Sequence, residues 1–393
     1  MAEALVHEYL RLGLALGRHI DGLVDAYYGP ADLADQAAAG PLESPASLAE
    51  RARRLLGELM VDRDLEAGRR TWLAAQARGL HTTARKLAGE PIGYLGEIED
   101  CYGVRPGLVP EDEFSEAHKR IDDVLPGSGS LAERYIAWRE QQIVPAELLG
   151  KAIDSLAEDF RERTGRAFGL PLGEQVEFEL VTHKPWSGFN YYLGGLRSRV
   201  AVNIDLPVPS TSLGPLVAHE AYPGHHTEHC RKEVGLVRQR SQIEETIFLV
   251  GTPQCLLAEG LADLGIEVIA GSRPEPVIAD HLNPLGVAYD AELVGQLSIA
   301  GEALGAVRGN AAILIHDEGM DVGDAVDYVA KWALLPRARA EKVVDFLIDP
   351  TWRAYAFCYI EGLRLCRRYV AGEPSRFERL VTEQVTPSEL AAA

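Results

Sequence analysis

Three imidazoles and a carboxylate fall within eight residues at His219-Glu220-Ala221-Tyr222-Pro223-Gly224-His225-His226. Neutral imidazoles with carboxylates are the donor set of a metal ion that assists hydrolysis, and a Glu beside a His ligand occupies the position of a general base. The usual zinc-peptidase signature carries its second His four residues after the first, one turn along the same helix face. Here that position is Pro223, which can neither bind metal nor donate a backbone N–H. The second ligand must therefore be His225 or His226, reached through a bulge or break in the helix. Glu259, in Leu257-Ala258-Glu259-Gly260-Leu261-Ala262-Asp263 on the next helical run, is the expected third ligand. One zinc ion held by two His and one Glu keeps a fourth position for water, whose pKa falls from about 15.7 to about 7, with Glu220 to take its proton. Clustered histidines can simply cap a helix at a surface. A His-Glu pair, a Gly hinge, paired His and a downstream Glu-Gly-x-Ala coincide here without a structural role that requires them.

The spacing bears on which histidine completes the shell. In an unbroken helix His226 returns to the face of His219 but stands about 10.5 Å further along the axis. That is too far for one ion. A two-residue bulge at Pro223-Gly224 would carry His225 into the place of the usual second ligand, whereas His226 would need three extra residues. His225 is thus expected at the metal, with His226 next to the shell or on the substrate. A thiolate from Cys230 or Cys255 is a lesser candidate, and His316 reads as a hydrogen-bonded helix histidine.

Around the octamer the pattern is mostly that of helices. Apolar positions at helical spacing run over residues 2–28, 47–59, 65–87, 94–102, 114–124 and 131–166, the last interrupted at Pro145. Residues 177–181 and 199–205 alternate as strands, with an aromatic loop between them at Lys184-Pro185-Trp186-Ser187-Gly188-Phe189-Asn190-Tyr191-Tyr192. Further helices are expected over 242–270, bent near Gly251-Thr252-Pro253, and over 290–317, 324–334, 336–348 and 350–371. The predicted fold is mainly α: a large helical, zinc-peptidase-like fold with a small β-sheet beside the metal-binding helix. Residues 1–170 form a helical N-terminal region and 171–393 the metal-binding catalytic region, unless the two are one continuous domain. Arg353 and Arg364 flank the Tyr359 segment and could bind a substrate carboxylate bidentately.

The octamer, the Glu259-Gly260-x-Ala262 run and a late Tyr359-Ile360-Glu361-Gly362 resemble the bacterial family known as domain of unknown function 885. That family is similar to helix-rich zinc peptidases such as carboxypeptidase Taq, the oligopeptidases and angiotensin-converting enzyme. The resemblance covers roughly residues 175 to 370. It implies His219, Glu220, His225 and Glu259 at the metal and Tyr359 near the substrate carbonyl as oxyanion donor. In the similar peptidases an edge strand beside the metal helix pairs with extended substrate, which puts Asn203, on the second strand, among the substrate-binding candidates. Ile360-Glu361 stand where family members often carry a basic residue, a departure that bears on substrate preference.

Composition narrows the partners. The 393-residue chain carries a net charge of −20, which argues against nucleic acid. No apolar run is long enough to span a membrane, and the acidic, amphipathic N-terminus is unlike a secretory signal. Five scattered cysteines suit reduced thiols and a cytoplasmic location. The expected activity is therefore zinc-dependent cleavage of a peptide or small amide substrate, with the oligomeric state open. The rival enzyme class is an Fe, Mn or Mg site acting on a small molecule. The non-enzymatic rival is a metal-bound binding protein, against which Glu220 argues, since structural zinc sites need no adjacent base.

Overall fold

Most segments with helical spacing are helices in the computed structural model, which describes residues 2–184, 186–205 and 207–393. Pro45–Val61, Ala67–Leu87, Tyr94–Tyr102, Glu111–Val124, Leu131–Gln141 and Ala146–Phe168 form the N-terminal helices; Val322–Trp332, Arg337–Ile348 and Ala356–Val370 follow in the C-terminal half. The fold is mainly α with two small sheets. Hydrophobic cores run across the 170/171 boundary: Leu149, Ile153 and Phe160 pack in one cluster with Leu213, Val217 and Ala218.

Two segments depart from the helical reading. The first helix stops at Gly17, and Val24–Tyr27 is a strand, β1. Its antiparallel partner is Ile247–Leu249 (β5 in chain order), inside the stretch expected to be one bent helix over 242–270; the helix there begins only at Pro253. Each strand is too short for a periodicity of its own, and pairing across more than two hundred residues leaves no local signal.

The aromatic loop is also a strand. Gln175–Val181 (β2), Gly188–Gly194 (β3) and Arg197–Asn203 (β4) form a sheet in the order β2-β4-β3, with β2 parallel and β3 antiparallel to β4. The strand expected at the edge is therefore central, and β3 is the edge strand lying against the metal helix. Phe189, Tyr191 and Tyr192 are the aromatic types that pleated, half-buried surfaces favour. Of the former loop, Pro185 lies outside the described residues.

The metal helix, Ser210–Glu220, ends immediately after the His-Glu pair, and a new helix starts at His225 and runs to Lys232. Instead of bulging within one helix, the chain leaves it and re-enters. Gly224 makes the re-entry possible: its N–H donates to the Ala218 carbonyl at 2.9 Å, and a Cβ there would stand 1.9 Å from the His219 carbonyl oxygen.

Glycines also set how the two site-bearing helices meet. Pro253–Ala270 crosses Ala356–Val370 with backbone against backbone: a Cβ on Gly260 would lie 2.2 Å from the Gly362 carbonyl, and one on Gly362 would lie 2.3 Å from the Leu256 carbonyl. These are the glycines of the Glu-Gly and Tyr-x-x-Gly motifs, so the crossing brings Glu259 and Tyr359 into one site. Gly362→Ala is expected to destabilise the protein by about 1–3 kcal/mol or more, because neither backbone can yield as a side chain would. Chemical denaturation measures this loss, and a variant as stable as the parent would contradict the crossing.

Candidate metal centre

His219, at the end of the metal helix, and His225, at the start of the next, face each other with their Nε2 atoms 3.0 Å apart. Glu259 reaches between them, with Oε2 at 3.3 Å from His219 Nε2 and Oε1 at 3.7 Å from His225 Nε2. Bonds of about 2.0–2.1 Å in a tetrahedron separate ligand atoms by about 3.3 Å. The three side chains therefore fit one zinc-sized cation. Glu259 Oε2 is buried and accepts no hydrogen bond, an orphaned acceptor that a cation would satisfy. Among the described residues no other group of His, Cys, Asp and Glu converges in this way.

A second layer holds these groups in place. His219 Nδ1–H donates to Asp263 Oδ1 at 2.8 Å, leaving Nε2 for a ligand. Asp263 stands one helical turn after Glu259, so a single helix face supplies both the third side chain of the candidate cluster and the carboxylate that orients His219. The Tyr355 hydroxyl donates to Glu259 Oε1 at 2.7 Å. Burial works against a charge on His219, yet Asp263 and Glu259 together hold its pKa well above the ordinary value. Burial and the neighbouring His219 push His225 down to about 4. Burial also works to raise Glu259, but the close approach of His219, the charge of His225 and the Tyr355 hydroxyl hold it down to about 2. The two carboxylates thus favour positive charge at this point, which a bound cation would supply.

Glu220 is buried beside this cluster. Asn190, on β3, donates to its backbone carbonyl at 2.6 Å, and a Cβ on Gly188 would come within 3.0 Å of Glu220 Oε1. Glycine at that point of the strand leaves room for the carboxyl. Burial pushes its pKa up to about 7, with His219 opposing and Glu259 and Asp263 adding to the rise. Near neutrality such a group can take and return a proton.

Tyr359 projects from Ala356–Val370, its ring 6.4 Å from that of His219 and 5.4 Å from that of Tyr355. Burial, then the charge of Glu259, keeps its hydroxyl protonated well above the ordinary range.

Four expected residues lie elsewhere. His226 is fully buried; its ring faces the sheet, with Nδ1 2.8 Å from Ser198 Oγ and Nε2 2.9 Å from Glu174 Oε2, so it cannot touch a substrate. One residue along a helix is a turn of about 100°, which is why consecutive histidines face different ways. Arg353 is held by the buried Glu97, with Nε–H donating at 2.8 Å. Arg364 is exposed, with Glu361 3.5 Å away. Asn203 spends its amide on the carbonyls of Lys184 and Trp186, both at 2.9 Å, and so fixes the turn before β3. The lesser candidates stay outside too: Cys230 lies against His226, Cys255 is buried, and His316 Nε2 meets the Leu347 carbonyl at 2.7 Å.

Three site residues had no assigned role in the sequence reading. Asp263 and Tyr355 each lie four residues from a candidate, Glu259 and Tyr359, and that helical offset was a usable signal. Asp25 had none. It sits where the β1–β5 register shifts, between Val24 and Ala26, and irregularities of this kind re-aim side chains. Burial, with Glu259 and Glu220 adding their charge, pushes its carboxyl up to about 8.

No family model matches the chain, and no curated protein matches it. Solved structures do. The "putative lipoprotein from Colwellia psychrerythraea" is similar with a TM-score of 0.51 and 16% identity over 87% of this chain, and the chain spans 65% of that protein's length. A "putative lipoprotein of unknown function from Shewanella oneidensis" is similar with a TM-score of 0.51 and 13% identity, covering 92% of this chain and 75% of that one. At these identities the likeness is one of fold.

Proposed function

We propose that this protein is a metal-dependent hydrolase that uses one zinc ion to cleave a peptide or related amide bond. The observation carrying the reading is the convergence of His219, His225 and Glu259 at tetrahedral ligand spacing, with the buried carboxyl of Glu220 next to the first ligand. Zinc bound there would polarise a substrate carbonyl and make water acidic enough to attack it. Glu220 takes the proton of the attacking water and returns it to the leaving nitrogen, a dual role suited to a carboxyl that titrates near neutrality. Asp263 and Tyr355 hold His219 and Glu259 in register, so the ligands do not reorganise during turnover. Tyr359 donates its hydroxyl proton in a hydrogen bond to the oxyanion as the carbonyl becomes tetrahedral.

Metal analysis on protein purified without a metal-binding tag, followed by hydrolysis of a mixed peptide pool before and after chelation, tests the reading. One zinc per chain and chelator-sensitive cleavage are expected. A metal-free protein that cannot be loaded, or cleavage indifferent to chelation, would end it. Oxygen uptake on loading with Fe(II) would favour an oxygenase instead.

Tyr359→Phe is expected to lower kcat by an amount equivalent to about 2.7–4 kcal/mol, with the melting temperature little changed, because the hydroxyl acts in the transition state. Were Tyr359 only a packing residue, the same variant would melt earlier and turn over normally.

A further inference from the structure

Resting on the hydrolase reading, we propose that Arg308 binds the terminal carboxylate of the substrate, so that the protein removes short pieces from the carboxyl end of peptides. Arg308 is the second residue of the helix Val307–His316, and its guanidinium carbon lies 5.0 Å from the centroid of the Tyr359 ring. The same ring lies 6.4 Å from that of His219. Tyr359 is therefore a close neighbour both of Arg308 and of a proposed metal ligand. Among the described residues Arg308 makes no ion pair and no hydrogen bond, and its Nε is sealed from solvent without an acceptor. Three other partly buried arginines of this acidic chain are matched: Arg69 with Glu244, Arg353 with Glu97, Arg367 with Glu267. A partly buried guanidinium left with an unused N–H, in a chain with 59 acidic residues, calls for an acceptor that the protein itself does not supply.

Its position costs rather than stabilises, since a cation in the first turn of a helix opposes the macrodipole. Close packing nevertheless holds it there. The next residue, Gly309, brings its helix onto the Tyr359 helix: a Cβ would stand 2.8 Å from Ile360 Cδ1 and 3.2 Å from Phe357 Cε1. A guanidinium presents parallel N–H donors in the geometry a carboxylate accepts. Extended chain advances about 3.3–3.6 Å per residue, so about three residues of substrate are enough to cover the separations from His219 to Tyr359 and from Tyr359 to Arg308. The same reasoning moves carboxylate recognition from Arg353 and Arg364 to Arg308, because the first is already paired and the second points into solvent.

The test compares zinc-loaded protein on peptides of identical sequence ending in a free carboxylate or an amide. The parent is expected to prefer the acid by about 100-fold or more in kcat/KM, a difference of about 2.8 kcal/mol at 1.4 kcal/mol per tenfold. Arg308→Gln should bring the acid-to-amide ratio close to one, and Arg308→Lys should restore part of it. A parent that cleaves both peptides equally overturns the proposal, and so does an Arg308→Gln variant that slows both by the same factor, which would mean that Arg308 acts through Tyr359. Calorimetric binding of the same two peptides is read alongside. If neither is cleaved, the hydrolase reading falls, while acid-selective binding lost in Arg308→Gln still supports the carboxylate site. Binding that does not distinguish acid from amide overturns it.

Discussion

Glu220→Gln is expected to lower kcat by about 10²-fold or more while zinc content stays at one ion per chain. The amide keeps the size and shape of the carboxyl, so the space beside Gly188 remains filled and the hydrogen bond from Asn190 to the residue-220 carbonyl is untouched. What disappears is the ability to take a proton. The buried carboxyl stands near Glu259 and Asp263, both of which raise its pKa, so removing its charge relieves repulsion and the variant should be no less stable than the parent. Full activity at unchanged zinc content would eliminate Glu220 as the base. Lost zinc would instead place this side chain among the ligands.

The second large effect separates the paired histidines. In His225→Ala the zinc affinity should collapse, because one of only three protein ligands is gone. In His226→Ala it should fall no more than about 10–100-fold, the range of residues that act behind the ligands. Stability should rank the other way. His226 is completely buried and bridges Ser198 and Glu174; without it the buried Glu174 loses a partner, at a cost of about 1–3 kcal/mol. Glu174 still keeps the Tyr222 hydroxyl, at 2.6 Å, and the Arg161 Nε–H, also at 2.6 Å, so the variant should fold. Zinc titration and thermal melting of the two variants together give a crossed pattern. Affinity lost in His226→Ala with His225→Ala unaffected would reverse the assignment.

Much was legible along the chain: the mainly helical class, the positions of most helices, and the grouping of side chains that carries the metal proposal. Helical class follows from apolar spacing, a property of neighbours along the chain. The donor set follows from chemistry, since few arrangements other than a metal site use His-Glu, a glycine hinge, a second His pair and a distant Glu-Gly together. The prohibition at Pro223 was also local, and it left His225 or His226 as the candidates for the second histidine.

Only the tertiary structure decided the rest. Gly260 and Gly362 read as motif letters, and their reason is a backbone contact between helices about one hundred residues apart. Asp25 carries no pattern; it enters the site because β1 pairs with β5, and such pairing is set by burial of Ala26, Ile247 and Leu249 rather than by local preference. The aromatic stretch before Gly194 became a strand for the same kind of reason, a partner supplied by β4. Arg353 and Arg308 were alike as sequence, two arginines on helical segments. Glu97 neutralises the first and nothing among the described residues neutralises the second, and a charge's partner in space is the one quantity that spacing along the chain does not encode.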